Sequence, residues 1–131
     1  MLDPELRELA IGRSSVTLAT LMPGGQPQIS LVWAHADDEH LLIGTNESRQ
    51  KYRNAAADPR VTVLLADEEG TSGYVEVRGS VVAFERGEAA KELADTTFTK
   101  WTGSPPNFPI GDDRVVLRIA PDRVRWHRPR G

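Results

Sequence analysis

Gly73-Tyr74-Val75-Glu76-Val77-Arg78-Gly79-Ser80-Val81-Val82-Ala83-Phe84 sets apolar Val75, Val77, Val81 and Ala83 in alternation with polar Glu76, Arg78 and Ser80. Successive side chains of a strand point to opposite faces, so this stretch predicts a long strand with one face on a core and one toward water. That is the pattern of an antiparallel sheet. Gly79 offers no side chain to pack and marks a barrel bend or a close approach of two backbones. Upstream, a turn over 67–72 leads back to a strand at 61–66, and two strands at 16–22 and 28–34 flank Pro23-Gly24-Gly25-Gln26-Pro27, a hairpin turn. Asp37-Asp38-Glu39 makes the next turn and residues 40–45 a third strand. Downstream, Ala90, Leu93, Ala94, Thr97 and Trp101 share one side of a helix over 88–101. A proline-rich loop at 103–112, either a lid or a packed cover, precedes strands at 114–120 and 123–127, with Pro121-Asp122 between them. Asp3-Pro4-Glu5 reads as the cap and first turn of a short opening helix.

Six or seven short antiparallel strands with about three short helices, and no βαβ alternation, predict a mainly β fold, a small barrel with helical plugs, in one domain over 1–131. With 16 basic and 19 acidic residues the formal charge is -3, which argues against broad attraction to nucleic acid or anionic membrane. The absence of cysteine excludes thiolate metal sites, disulfides and a Cys nucleophile. The apolar runs are strand-sized and the N-terminus is acidic, so neither a membrane span nor an export signal is expected, and a cytoplasmic protein fits. His35, His40 and His127 follow no metal-ligand spacing, and no metal site is expected. Gly-x-Ser-x-Gly is absent, and the paired carboxylates Asp37-Asp38, Glu68-Glu69 and Asp112-Asp113 fall in turns. Arg123-Val124-Arg125-Trp126-His127-Arg128-Pro129-Arg130 reads as an edge strand protected by charge, or as a contact to a neighbouring subunit or anion.

One segment carries chemistry. Thr45-Asn46-Glu47-Ser48-Arg49-Gln50-Lys51-Tyr52-Arg53-Asn54, closed by Asp58-Pro59-Arg60, joins the strand at 40–45 to a short helix. Ser48 at the N-cap, with Arg49 and Lys51 in the first turn, gathers a hydroxyl, backbone N–H groups, the helix dipole and two cations, as an anion site does. A solvated helix face is the alternative. Tyr52, Ala55 and Ala56 form the small face expected to be buried.

Thr45-Asn46-x-Ser48-Arg49-x-Lys51-x-x-Asn54 with Asp58-Pro59-Arg60-Val61 resembles the phosphate-binding segment of the pyridoxamine 5'-phosphate oxidase-like split β-barrel proteins, the fold that binds flavin mononucleotide (FMN). Gln28-x-Ser30-x-Val32-Trp33, Val75-Glu76-Val77-Arg78-Gly79, Lys100-Trp101-Thr102-Gly103 and Arg114-Val115-Val116-Leu117-Arg118-Ile119-x-Pro121 extend the resemblance over nearly the whole chain. Within that family the spacing is most similar to the deazaflavin-dependent oxidoreductases that use coenzyme F420. The chain lacks the Arg-x-Val-Leu-Leu-Lys strand of the pyridoxamine-phosphate oxidases proper. The resemblance implies an F420-dependent oxidoreductase passing hydride between reduced cofactor and a small conjugated organic substrate, with FMN, or a non-catalytic cofactor-binding dimer, as alternatives. It implies that Ser48, Arg49, Lys51 and Asn54 hold the phosphate, that Thr45 meets the ribityl-like chain, and that Ser30, Val32 and Trp33 lie near the ring. A homodimer with the cofactor groove at its interface is also implied. No catalytic residue is singled out: Tyr52, Tyr74, the histidines and bound water are all open as proton donors.

Overall fold

The computed structural model describes residues 1–71 and 73–129. Ser72, in the expected turn, and Arg130, beyond the expected last strand, lie outside the described residues. Among the described residues there are three helices, α1 (Pro4–Ile11), α2 (Gln50–Ala57) and α3 (Glu88–Thr102). The seven strands are β1 (Ser14–Leu21), β2 (Pro27–Val32), β3 (Ala34–Ala36), β4 (Leu41–Asn46), β5 (Arg60–Asp67), β6 (Tyr74–Glu85) and β7 (Arg114–His127). They form one antiparallel sheet in the order β2-β1-β5-β6-β7-β4-β3, curled into the split half-barrel the alternation predicts.

The curl follows from burial. Val16 and Leu18, Val63 and Leu65, Val75 and Val77, Leu117 and Ile119 all face one enclosed core, each residue burying apolar area on the order of 1.5–3 kcal/mol. α1 closes one end through Leu6 and Ala10, both fully buried. It is held at its start by Asp3, whose carboxylate accepts from the Leu6 N–H at 3.0 Å. α3 lies outside the sheet, where Ala90 and Leu93 pack on Val116 and Leu42. β7 is therefore covered on both faces where it starts.

Two strand boundaries differ from the sequence reading. The strand expected at 28–34 divides at Trp33, because β2 pairs with β1 while β3 pairs with β4 on the far edge of the sheet. The two strands expected after residue 113 are one. Pro121 opposes Gly79 and Arg123 opposes Arg78, leaving Asp122 as the extra residue of a bulge. A proline is tolerated there since a bulge asks no ladder N–H of it. Gly79 supplies the room: a Cβ at that position would lie 2.3 Å from the Ala120 carbonyl oxygen.

Candidate functional site

The sheet fails to close at Trp33, and a cleft of ≈ 440 Å³ opens at this seam. Ser14, Ser15 and Val16 of β1, Leu31 and Val32 of β2, and Trp33 form one side. Gly44, Thr45 and Asn46 of β4, Arg49 and Lys51 at the start of α2, Thr97 and Trp101 of α3, and Arg114 of β7 form the other. The β4–β7 register sets Thr45 opposite Val115 and Asn46 opposite Arg114. That pairing brings Arg114 to the same end of the cleft as Arg49 and Lys51.

No carboxylate lies within salt-bridge distance of Arg49, Lys51 or Arg114 among the described residues, whereas Arg60, Arg86 and Arg128 each have one and Arg118 has two. Burial, and after it the charges of Arg49 and Arg114, hold the Lys51 ammonium below the usual lysine range. Burial also lowers Arg114, partly opposed by Asp113 and reinforced by Arg49. Lys51 and Arg114 are half-buried and Arg49 is exposed, and with no carboxylate in contact with any of the three an anion entering the cleft relieves the repulsion among them. The Arg114 Nε and the Ser14 Oγ and Trp101 Nε1 groups are buried without a protein hydrogen-bond partner. A second groove of ≈ 440 Å³ lies between α1 and the end of β7, but its cations are engaged: Arg128 binds both oxygens of Glu5 at 2.9 Å and Arg13 binds Glu68.

Of the residues singled out from sequence, Thr45, Arg49, Lys51, Val32 and Trp33 line the cleft. Ser48, Asn54 and Ser30 are placed elsewhere. The α2 N-cap is Arg49, not Ser48, because residues 47–49 form a turn closed by the Arg49 N–H on the Asn46 carbonyl at 3.0 Å. Ser48 is exposed and its carbonyl accepts from Arg53. Asn54 is 2% exposed and points into the barrel, donating to Thr20 Oγ1 at 3.1 Å and accepting from Gln50 at 2.7 Å. Thus Asn54 and Ala55 form the buried face of α2, and Ala56, expected there, is exposed. Ser30 sits on the inner row of β2, opposite Leu18.

None of the open proton donors among side chains lines the cleft. Tyr52 accepts from Arg86, Tyr74 stacks on His127, His40 meets Arg118 at 3.1 Å and His35 flanks Lys100. No group of three His, Cys, Asp or Glu residues able to hold a metal occurs among the described residues. No helix of the described residues is long and apolar enough to cross a membrane.

Sequence reasoning missed Arg114 as a site residue. Its only local signal is a basic residue at the head of a strand, and its role depends on pairing with Asn46 across 68 positions. Gly44 is the second omission. A Cβ there would fall 2.6 Å from Arg114 Nη2, so the guanidinium lies directly over the glycine.

Comparison with known proteins agrees with this fold. The sequence model of the pyridoxamine 5'-phosphate oxidase family matches residues 2–128. An F420 reductase structure is 29% identical, with a TM-score of 0.78 over 91% of this chain and 94% of that one. The conserved hypothetical protein Rv2991 from Mycobacterium tuberculosis is 26% identical, with a TM-score of 0.73 over 98% and 85%. General Stress Protein 26 from Bacillus anthracis, at 22% identity and a TM-score of 0.69 over 93% of each chain, shares the fold.

Proposed function

The chain belongs to the pyridoxamine 5'-phosphate oxidase family, and on that premise we propose that it is an oxidoreductase using a deazaflavin of the coenzyme F420 type. The observation that carries the reading is the convergence of Arg49, Lys51 and Arg114, none with a carboxylate in contact, above Thr45 and beside an apolar wall of Val32, Trp33 and Trp101. The donor set fits the group. Charge-assisted bonds from the three cations would fix the phosphate, Thr45 and Asn46 would meet the polyol chain, and the strand walls would hold the flat ring. A bound deazaflavin supplies two-electron hydride chemistry. The protein's contribution is to anchor the anionic end, orient the ring and exclude water from the seam. Similarity to the F420 reductase supports this cofactor. FMN is the second reading, favoured by the clustering of cations, since a phosphate monoester carries up to two negative charges where a diester carries one.

A homodimer belongs to the same proposal. Ile29 and Leu31 on edge strand β2 are 64% and 77% exposed beside the cleft, an apolar strip that a second copy would cover. The reading takes the protein to be cytoplasmic and its substrate to be a small conjugated molecule.

Titration of the purified protein with oxidised F420 and with FMN tests the assignment. Saturable binding of one of them is expected, and Lys51→Ala should weaken it by ~1.5–3 kcal/mol, the range for a hydrogen bond to a charged group. No binding of either cofactor would sink the enzyme reading. A non-catalytic module would bind cofactor and show no substrate-dependent oxidation of its reduced form.

A further inference from the structure

Lys100, in the last turn of α3, has no carboxylate within salt-bridge distance among the described residues. Its ammonium donates instead to two main-chain carbonyls, Ala10 at 3.2 Å and Ala34 at 2.5 Å. Ala10 lies in the last turn of α1, where carbonyls lack a helical partner and a cation is favoured. Ala34 opens β3, an edge strand of three residues. Burial brings the Lys100 pKa down from the usual lysine value to about 8, so at pH 7 it still donates as an ion. One side chain thus fastens α1 and β3 to a single point of α3.

The sequence neighbours of this anchor wall the cleft. Trp101 follows Lys100 and Trp33 precedes Ala34, and their rings stack with centroids 6.3 Å apart at 11°. Trp33 stands between β2 and β3, belongs to neither strand and is 41% exposed, so sheet pairing and burial leave its ring under-determined. The end of α1 meets the same pair a second time, through Arg13 lying over the Trp101 ring at 4.9 Å.

We propose that Lys100 is a positioning residue for the cleft: its bonds to the Ala10 and Ala34 carbonyls hold Trp33 against Trp101, and that stack fixes the wall on which a cofactor ring rests. The inference rests on the oxidoreductase reading for the ring, and on the anchor alone for the stack.

Near-ultraviolet circular dichroism reads the stack with no ligand added. Trp101→Phe breaks the pair and sets the size of its signal. Lys100→Met keeps an unbranched stem without donors and should lose most of that signal. Lys100→Arg, whose guanidinium can donate to two carbonyls, should restore it. Far-ultraviolet circular dichroism and the thermal midpoint establish that the variants are folded; if Lys100→Met is not, Lys100→Gln takes its place, with a partial loss expected. In titrations with F420 and FMN, Lys100→Met should weaken the bound cofactor about three- to tenfold, the range for one aromatic contact. Its affinity for inorganic phosphate, which meets only the cations, should stay unchanged. A stack signal unaffected by loss of the donors, or one that Lys100→Arg fails to restore, overturns the proposal, as does an equal fall in phosphate affinity. Failure of both cofactors to bind the wild type removes the oxidoreductase reading and leaves the spectrum to decide the role of Lys100.

Discussion

Replacing Gly44 by alanine separates the fold of the cleft from its grip on an anion. The new Cβ would sit 2.6 Å from Arg114 Nη2 and 3.7 Å from Cζ, against ordinary carbon contacts of about 3.5–4.0 Å. The guanidinium must therefore move by about 1 Å, more than the ~0.5 Å window within which an N–H···O bond keeps its strength. The contribution at risk is that of one charged hydrogen bond, ~1.5–3 kcal/mol, or about 12- to 160-fold in dissociation constant. The strand itself should tolerate the change. Gly44 has no positive φ, the other near neighbour, Leu93 Cδ2, lies at an ordinary 3.4 Å, and a Gly→Ala change at a compatible site adds about 0.4–1 kcal/mol of stability. Affinity falls while stability holds or rises. The assay is calorimetric titration with whichever of F420 and FMN binds the wild type, alongside urea unfolding, on Gly44→Ala, Arg114→Ala and the double variant. If Gly44 acts through Arg114, the double variant binds no more weakly than Arg114→Ala alone. Additive losses, or wild-type affinity in Gly44→Ala beside a weakened Arg114→Ala, would show that Gly44 does not act through Arg114.

Two further predictions concern the scaffold. Burial opposes ionisation of Asp37, but bonds from Arg118 and from the Glu39 and His40 N–H groups outweigh it and lower its pKa from 3.8 to about 2. A carboxylate depressed on folding stabilises above its unfolded value, and that stability is lost as pH falls through the folded one. Asp37 is 41% exposed, so solvent screening reduces the contribution to about 1 kcal/mol. Asp37→Asn should be destabilised by that amount at pH 7 and match the wild type near pH 2, and a gap in urea midpoint independent of pH would count against the ion pair. Gly79→Ala forces a methyl group onto the Ala120 carbonyl oxygen, a backbone atom in the bulge, and should cost ~1–3 kcal/mol in urea unfolding; a loss below about 0.5 kcal/mol would show that the bulge yields freely.

The barrel was legible because its information is periodic. Val75, Val77 and Val81 declare an inner face without reference to any partner, and Gly79 declares a close approach. The break at Trp33 was not legible: nothing local to residues 28–34 states that β2 and β3 pair on opposite edges of one sheet. The site divides in the same way. Arg49 and Lys51 stand in one helical start and were found there. Asn54 was read as a phosphate partner from its position in that motif, yet its side chain satisfies Thr20 and Gln50 inside the barrel. Arg114 enters only through the register of β4 on β7, and a single sequence carries no trace of that pairing.

That register has a consequence for the order in which the molecule is made. Arg49 and Lys51 precede Arg114 by more than sixty positions, and Asn46 meets Arg114 across 68. Closing so long a loop is entropically costly, and contacts of this span belong to the late part of folding. During synthesis two of the three cations emerge while the third is still to be translated, so the grip is complete only once the final strand has docked. An anionic cofactor then has nothing to nucleate. It would act as a latch on a finished barrel, slowing the detachment of β7 and lengthening the lifetime of the folded state while leaving the rate of folding unchanged.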